Sequence, residues 1–380
     1  MRVVFCIRPD WQSSHGGDVV QLLETKSALE ARHGITCQIA VDPDDPALAA
    51  SDLVHAFNVQ TAELSLAFAR KAKELSKPLA LSTIYWDLSH ARFVETAFGA
   101  RLVASSPAVS ALKPGFDKLT RISARVIGRP RYVSPSRLAQ VRELVSLADV
   151  ILPNSREEAE LLLRDCGLGA HPHQVVVNAT NLANFSPPTE PGARSGVVMA
   201  GRIQPIKNQL AVAVALRGSG VPATFVGAST DPRYVSALRR AREGEPGEVI
   251  DRSVPQVELA ALYRGAEVHV LPSFRESPGL STLEALSSGC KAVVSDSRFC
   301  PVGTYFEDLI GKTVFVCDPY SVRSVREAIT QALAAPLPSP AEVGSIRRFT
   351  WDLAADQTCE AYRRIMRAEA PGDPVANGIA

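Results

Sequence analysis

The sequence has no Cys-x-x-Cys pair, no Gly-x-Gly-x-x-Gly fingerprint and no apolar run of membrane-spanning length. Each absence removes a class of protein. A spanning helix needs about 20 consecutive apolar residues, so no transmembrane segment is expected. Residues 3–7 are apolar, but Arg8-Pro9-Asp10 interrupts them at once, and they read as a first strand, not as a signal peptide. The cysteines at 6, 37, 166, 290, 300, 317 and 359 fall singly in or near apolar stretches. That dispersal fits reduced, buried thiols of a cytoplasmic protein and not a disulfide framework. His171-Pro-His173 is the one pair with ligand-like spacing and reads as loop, so no metal is expected. Without the glycine fingerprint, an NAD-dependent enzyme is disfavoured. A charge excess is missing too: the formal net charge is +1, and nothing global points to nucleic acid.

What is present is a chain for two ordinary domains, 380 residues with 46% hydrophobic content, enough for full cores. Strand-like runs at 3–7, 36–41, 53–57, 79–84, 149–154 and 174–178 alternate with helical patterns at 18–32, 62–75 and 155–165. That alternation predicts a parallel, doubly wound sheet. A stretch rich in proline and glycine, 184–195, reads as a linker. A second alternating set follows, with strands at 196–201, 223–227, 248–252, 268–271, 291–295 and 314–317. A last helix starts near Thr350 and ends near 366. The expected division is 1–183, the linker 184–195, 196–348, a closing helix over 349–370, and a frayed tail at 371–380.

The chemistry concentrates in 272–289, Pro-Ser-Phe-Arg-Glu-Ser-Pro-Gly-Leu-Ser-Thr-Leu-Glu-Ala-Leu-Ser-Ser-Gly. A buried strand feeds a turn at Ser277-Pro278-Gly279 and then a helix closed by Gly289. This puts free N–H groups and the positive end of a helix dipole at the carboxyl edge of a sheet, near Gly279, Leu280 and Ser281. Glu276 precedes the helix and Glu284 lies one turn inside it. Carboxylates there would repel a bare phosphate and suit hydroxyl groups, so the pattern suggests a nucleotide carrying sugars. Upstream, Gly201-Arg202 and Lys207 follow another strand and set two cations beside a helix start, which reads as a diphosphate clamp.

Two glutamates with seven residues between them, Gly-Leu among these, and Glu-Ala-Leu-x-x-Gly after, resemble the signature of the retaining GT-B glycosyltransferases, family 4. The resemblance implies two Rossmann-like domains facing a central cleft, with a C-terminal helix crossing back. It also implies a nucleoside-diphosphate-sugar donor, retention of anomeric configuration, and no metal or other cofactor. In that family the first glutamate contacts the transferred sugar and the second the ribose, here Glu276 and Glu284. Gly-Arg-x-x-x-x-Lys neutralises the leaving diphosphate, here through Arg202 and Lys207. A Gly-Gly pair lies against donor and acceptor, matching Gly16 and Gly17, although a simple tight turn explains that pair about as well. Many members have His-Asp after the fourth strand. Here Trp86 stands where that His would be, Asp87 matches, and the nearest His is His90, so these three are the candidate sugar or acceptor contacts. The usual Asn-Gly-hydrophobic-Asp after the 174–178 strand is altered to Asn178-Ala179-Thr180-Asn181.

Between 113 and 142 the chain holds eight cations against Asp117, with apolar residues at helical spacing. A basic amphipathic helix can lie on an anionic membrane, and contact with a membrane or a lipid-linked acceptor is the reading slightly favoured; a core-packed helix with a solvated cationic face, or a cradle for an acidic acceptor, stands beside it. The resulting expectation is transfer of a sugar to a hydroxyl of a glycan or lipid-linked acceptor, in cell-surface polysaccharide or lipopolysaccharide synthesis. The expected location is the cytoplasm, at the inner membrane face if the basic segment binds lipid. A nucleotide-sugar epimerase of the same fold needs more acids and histidines than Asp87 and His90 supply. A non-catalytic nucleotide-sugar-binding protein would lack Glu276, Arg202 or Lys207, and all three are present.

Overall fold

The computed structural model describes residues 1–13, 16–87, 89–99, 105–116, 118, 135–189 and 192–368. Most of the basic segment at 113–142 and the whole tail at 371–380 therefore lie outside the described residues. The chain forms two compact units. One comprises residues 1–85, 135–177 and the chain from 351 onward; the other comprises 86–134 and 178–350.

The first unit is a five-stranded parallel sheet: β1 (Arg2–Cys6), β2 (Thr36–Ala40), β3 (Leu53–Phe57), β4 (Leu79–Ser82) and β5 (Val150–Leu152), in the order β2-β1-β3-β4-β5. Helices cover both faces, which is why β3 and β4 are buried along their whole length. Side chains alternate between the faces. Val3, Phe5 and Phe57 pack with Leu22 and Leu29 of the helix Gly17–His33 and with Ala355 and Tyr362 of the last helix, Trp351–Ala368. Val4, Val54 and Ala56 pack on the other side with Leu66, Ala69 and Leu144. The last helix thus belongs to the first unit, where Asp356 takes Arg32 at 2.6 Å and His33 at 2.8 Å.

One expected strand is absent. Residues 174–178 run beside β5, with Gln174 donating to the Ile151 carbonyl and Val176 to that of Pro153, but they are not a strand: the isolated bridge to Ile151 is at His173, one residue earlier. Pro153 has no N–H to return a bond, so the ladder stops.

The second unit is a six-stranded parallel sheet: β6 (Val197–Ala200), β7 (Ala223–Val226), β8 (Gly247–Ile250), β9 (Val268–Leu271), β10 (Lys291–Ser295) and β11 (Val314–Cys317). Its order, β11-β10-β9-β6-β7-β8, reverses direction between β6 and β9. Residues around 86–116, expected in the first unit, pack in the second: Phe93 and Val109 bury against Phe274, Phe299 and Tyr320. Residues 184–189 and 192–195, from the stretch expected as a linker, are laid along this unit. Phe185 is buried against Tyr263, and the Arg194 guanidinium donates to the carbonyls of Tyr263, Ala266 and Ser288. An arginine in a Pro/Gly-rich stretch gives no local sign that it caps three carbonyls distant in sequence.

Candidate functional site

The crevice outside the carboxyl ends of strands at a reversal of strand order is where open α/β sheets bind ligands. In the second unit that point lies between β6 and β9, and the two sequence motifs follow those two strands. After β6 the chain turns at Gly201, whose φ is 149°. A Cβ on Gly227, at the end of neighbouring β7, would sit 2.2 Å from the Gly201 carbonyl oxygen, so the two loops can approach only through glycine. Arg202 is exposed while Ile203 beside it is fully buried, so the loop is anchored and its guanidinium stays outside. Lys207 ends a short 3-10 turn, Pro205–Lys207. Asn208 adopts a left-handed φ of 68° and is buried, donating through Nδ2 to the carbonyls of Pro272 (3.1 Å) and Pro319 (2.9 Å). With the Phe274 N–H on the Ile206 carbonyl at 2.9 Å, this ties the β6 loop to the β9 loop. The consequence is direct: the Lys207 ammonium donates to Glu276 Oε1.

Glu276 is 7% exposed, with its N–H on the Phe299 carbonyl. The helix Leu280–Ser287 begins at Gly279, which has φ 93° and provides no side-chain cap. The N–H groups of Thr282 and Leu283 donate to the Gly279 carbonyl, which leaves those of Leu280 and Ser281, both partly exposed, to face an anion. A Cβ on Gly279 would lie 3.0 Å from Glu276 Oε2, so glycine lets the carboxylate lie against the helix start. Asn178 Nδ2 donates to the Ser277 carbonyl at 2.6 Å, a structural tie for this turn. Further along the helix, burial pushes the Glu284 pKa up to about 7, against the opposing pull of the Tyr263 hydroxyl 3.5 Å away. One helix start, two cations and two carboxylates of different exposure thus share one sheet edge. Such a set can hold a diphosphate through the cations and N–H groups while the acids accept hydroxyls.

Of the remaining sequence candidates, Asp87 and His90 also lie in the second unit. Asp87 accepts from the N–H (2.8 Å) and hydroxyl (3.0 Å) of Ser89, the first residue of the helix Ser89–Gly99. The His90 Nδ1 is 2.9 Å from the Tyr320 hydroxyl, and its Nε2 is 3.8 Å from Asp87. Trp86 is 5% exposed, and its indole N–H has no partner among the described residues. Gly16 and Gly17 are in the first unit, at the carboxyl end of β1. A Cβ on Gly16 would meet Asp18 Oδ1 at 2.4 Å, whereas one on Gly17 would meet nothing within 4 Å. Sequence reading missed Asn208, Tyr263 and Tyr320. Only Asn208 carried a signal, since Asn tolerates the left-handed region that ends a turn. Among the described residues, no group of three or more His, Cys, Asp or Glu could hold a metal ion.

Residues 183–347 match the family model described as glycosyl transferases group 1. The chain is 30% identical over 312 residues to a D-inositol 3-phosphate glycosyltransferase of Streptomyces bingchenggensis, covering 74% of this chain and 68% of that protein. It is 27% identical over 256 residues to the enzyme of that name from Segniliparus rotundus, 62% of this chain but only 56% of the relative's length. Sucrose-phosphate synthase from Thermosynechococcus elongatus superposes with a TM-score of 0.68 at 17% identity, over 97% of this chain and 100% of that one. The two parallel-sheet units and this structural likeness are those of the GT-B fold. The chain belongs to the group 1 glycosyl transferases.

Proposed function

We propose that this chain is a retaining glycosyltransferase of family 4. It moves a sugar from a nucleoside-diphosphate sugar to a hydroxyl of a glycan or lipid-linked acceptor in cell-surface polysaccharide synthesis. The observation that carries the reading is the meeting of Lys207 and Glu276 beside the open start of the Leu280–Ser287 helix, with Arg202 exposed on the same edge. In the reaction the bond between anomeric carbon and diphosphate oxygen breaks, and its electron pair stays on the diphosphate. Arg202, Lys207 and the helix N–H groups stabilise that charge by electrostatics, without a metal. Glu276 orients the sugar and faces the positive charge that develops on it, and Glu284 accepts the ribose hydroxyls. Asp87 and His90 contact the sugar or the acceptor. The acceptor oxygen attacks on the face the diphosphate leaves, and its proton passes to the departing phosphate oxygen, so no separate base is needed.

A second reading concerns the acceptor. The Streptomyces and Segniliparus relatives are named for D-inositol 3-phosphate, which favours a small phosphorylated polyol over a lipid-linked glycan. Supplying inositol phosphate and lipid-linked sugar in parallel assays separates the two.

The donor site is tested by calorimetric titration with UDP, GDP, ADP and dTDP on wild type, Arg202→Ala and Glu284→Gln. One nucleotide is expected to bind, and loss of the Arg202 clamp should weaken it by about 2–4 kcal/mol. Binding indifferent to both substitutions would mean that the clamp is misassigned.

A further inference from the structure

The Lys207–Glu276 pair rests on a block of aromatic rings. Phe274, two residues before Glu276, has its ring 4.6 Å from that of Tyr320 and 6.1 Å from that of Phe299. Its N–H holds the residue before Lys207, and the Phe299 carbonyl holds the N–H of Glu276. His90 stands edge-on to Phe299, with ring centroids 4.8 Å apart at 76°. The Tyr320 hydroxyl lies 2.9 Å from His90 Nδ1, and Asp87 Oδ2 lies 3.8 Å from Nε2. The two imidazole nitrogens therefore meet different surroundings. A hydroxyl donating to Nδ1 leaves the imidazole proton on Nε2, the nitrogen beside the Asp87 carboxylate. The phenol is packed between Phe93, Phe274 and Phe299, which fixes where its hydroxyl points.

We infer that Tyr320 is a positioning residue that sets the orientation and tautomer of His90 for recognition of the donor sugar. This rests on the contact with the donor sugar, one of the two roles proposed for His90. A plain packing role for Tyr320 would be served equally by phenylalanine, because the ring contacts would remain. The hydroxyl is what distinguishes the two.

The test measures the gain in affinity of UDP-glucose over UDP, and of GDP-mannose over GDP, in wild type, Tyr320→Phe, His90→Gln and the double variant. Tyr320→Phe should leave affinity for the bare nucleotide unchanged and cut the sugar's gain about three- to tenfold, the size of one hydrogen bond. The double variant should match His90→Gln alone, because a residue acting only through His90 has nothing left to position. Two penalties that multiply, or a Tyr320→Phe variant that keeps the full gain while His90→Gln loses it, would overturn the role of Tyr320 only. If His90→Gln itself keeps the full gain, the sugar contact proposed for His90 fails, and this inference with it.

Discussion

Ribose hydroxyls donate to a carboxylate, so the proposed nucleotide is held by ionised Glu284, whereas burial pushes this group's pKa up to about 7. The sign of each effect follows. The folded pKa lies above the ordinary 4.5, so Glu284 contributes stability at low pH that is lost as pH rises towards 7. Nucleotide affinity should run the other way, falling by up to about tenfold per pH unit below 7. Calorimetry across that range checks it, and Glu284→Gln should flatten the profile. Gly17 makes a different residue-scale case. Space for a Cβ is open there, and a helix prefers alanine, so Gly17→Ala should stabilise the protein by about 0.5–1 kcal/mol. If glycine is kept so that a ligand can approach the backbone, the same variant should lose sugar-transfer activity. A variant that is more stable and fully active would leave Gly17 without a binding role. Gly16→Ala should destabilise, because its Cβ would strike the Asp18 carboxylate.

At the scale of elements, the last helix is fastened to the first sheet by a buried polar chain. Tyr362 bonds His55 Nδ1 at 2.6 Å, and Ser82 bonds Nε2 at 2.9 Å. Burial lowers the His55 pKa to about 3, so the ring stays neutral in the fold. An unfolded histidine titrates near 6.5, and a depressed folded pKa means stability is complete above that value and drains as pH falls from about 6.5 towards 3. His269, buried in β9 and likewise lowered to about 3, should act in the same direction in the second unit. Chemical denaturation at neutral and mildly acid pH measures the slope. Tyr362→Phe should cost about 1–3 kcal/mol, since it leaves a buried imidazole nitrogen unpaired.

At the scale of the whole molecule, the charge that develops on the diphosphate is assigned to Arg202, Lys207 and a helix start. Activity is therefore expected to survive dialysis against EDTA, and a loss restored by a divalent cation would contradict that assignment. No helix among the described residues is long and apolar enough to cross a membrane. The membrane contact expected from the sequence rests on the basic segment at 113–142. Replacing its cations with glutamine should reduce partitioning onto anionic vesicles; unchanged partitioning would remove the membrane proposal and leave the enzymatic one intact.

Local pattern was enough for the parallel α/β class, most strands and the motifs after β6 and β9, because an apolar run, a turn and a helix start are all written within about ten residues. Arg202, Lys207, Glu276 and Glu284 stand out as candidates for the same reason: their spacing along the chain is itself the signal. Tertiary structure alone decided which of them meet. The bond between Lys207 and Glu276 joins residues 69 apart and depends on Asn208 reaching the carbonyls of Pro272 and Pro319. It also decided that the chain around 86–116 packs in the second unit, because Phe93 and His90 find their partners at Phe274, Phe299 and Tyr320, more than 150 residues later. Burial is equally non-local: helical spacing sets Glu284 on its helix, but the Tyr263 hydroxyl beside it comes from another helix, and the burial that raises its pKa against that hydroxyl's pull exists only in the folded chain. Residue order carries periodicity and spacing, whereas contact and desolvation exist only once distant segments have packed.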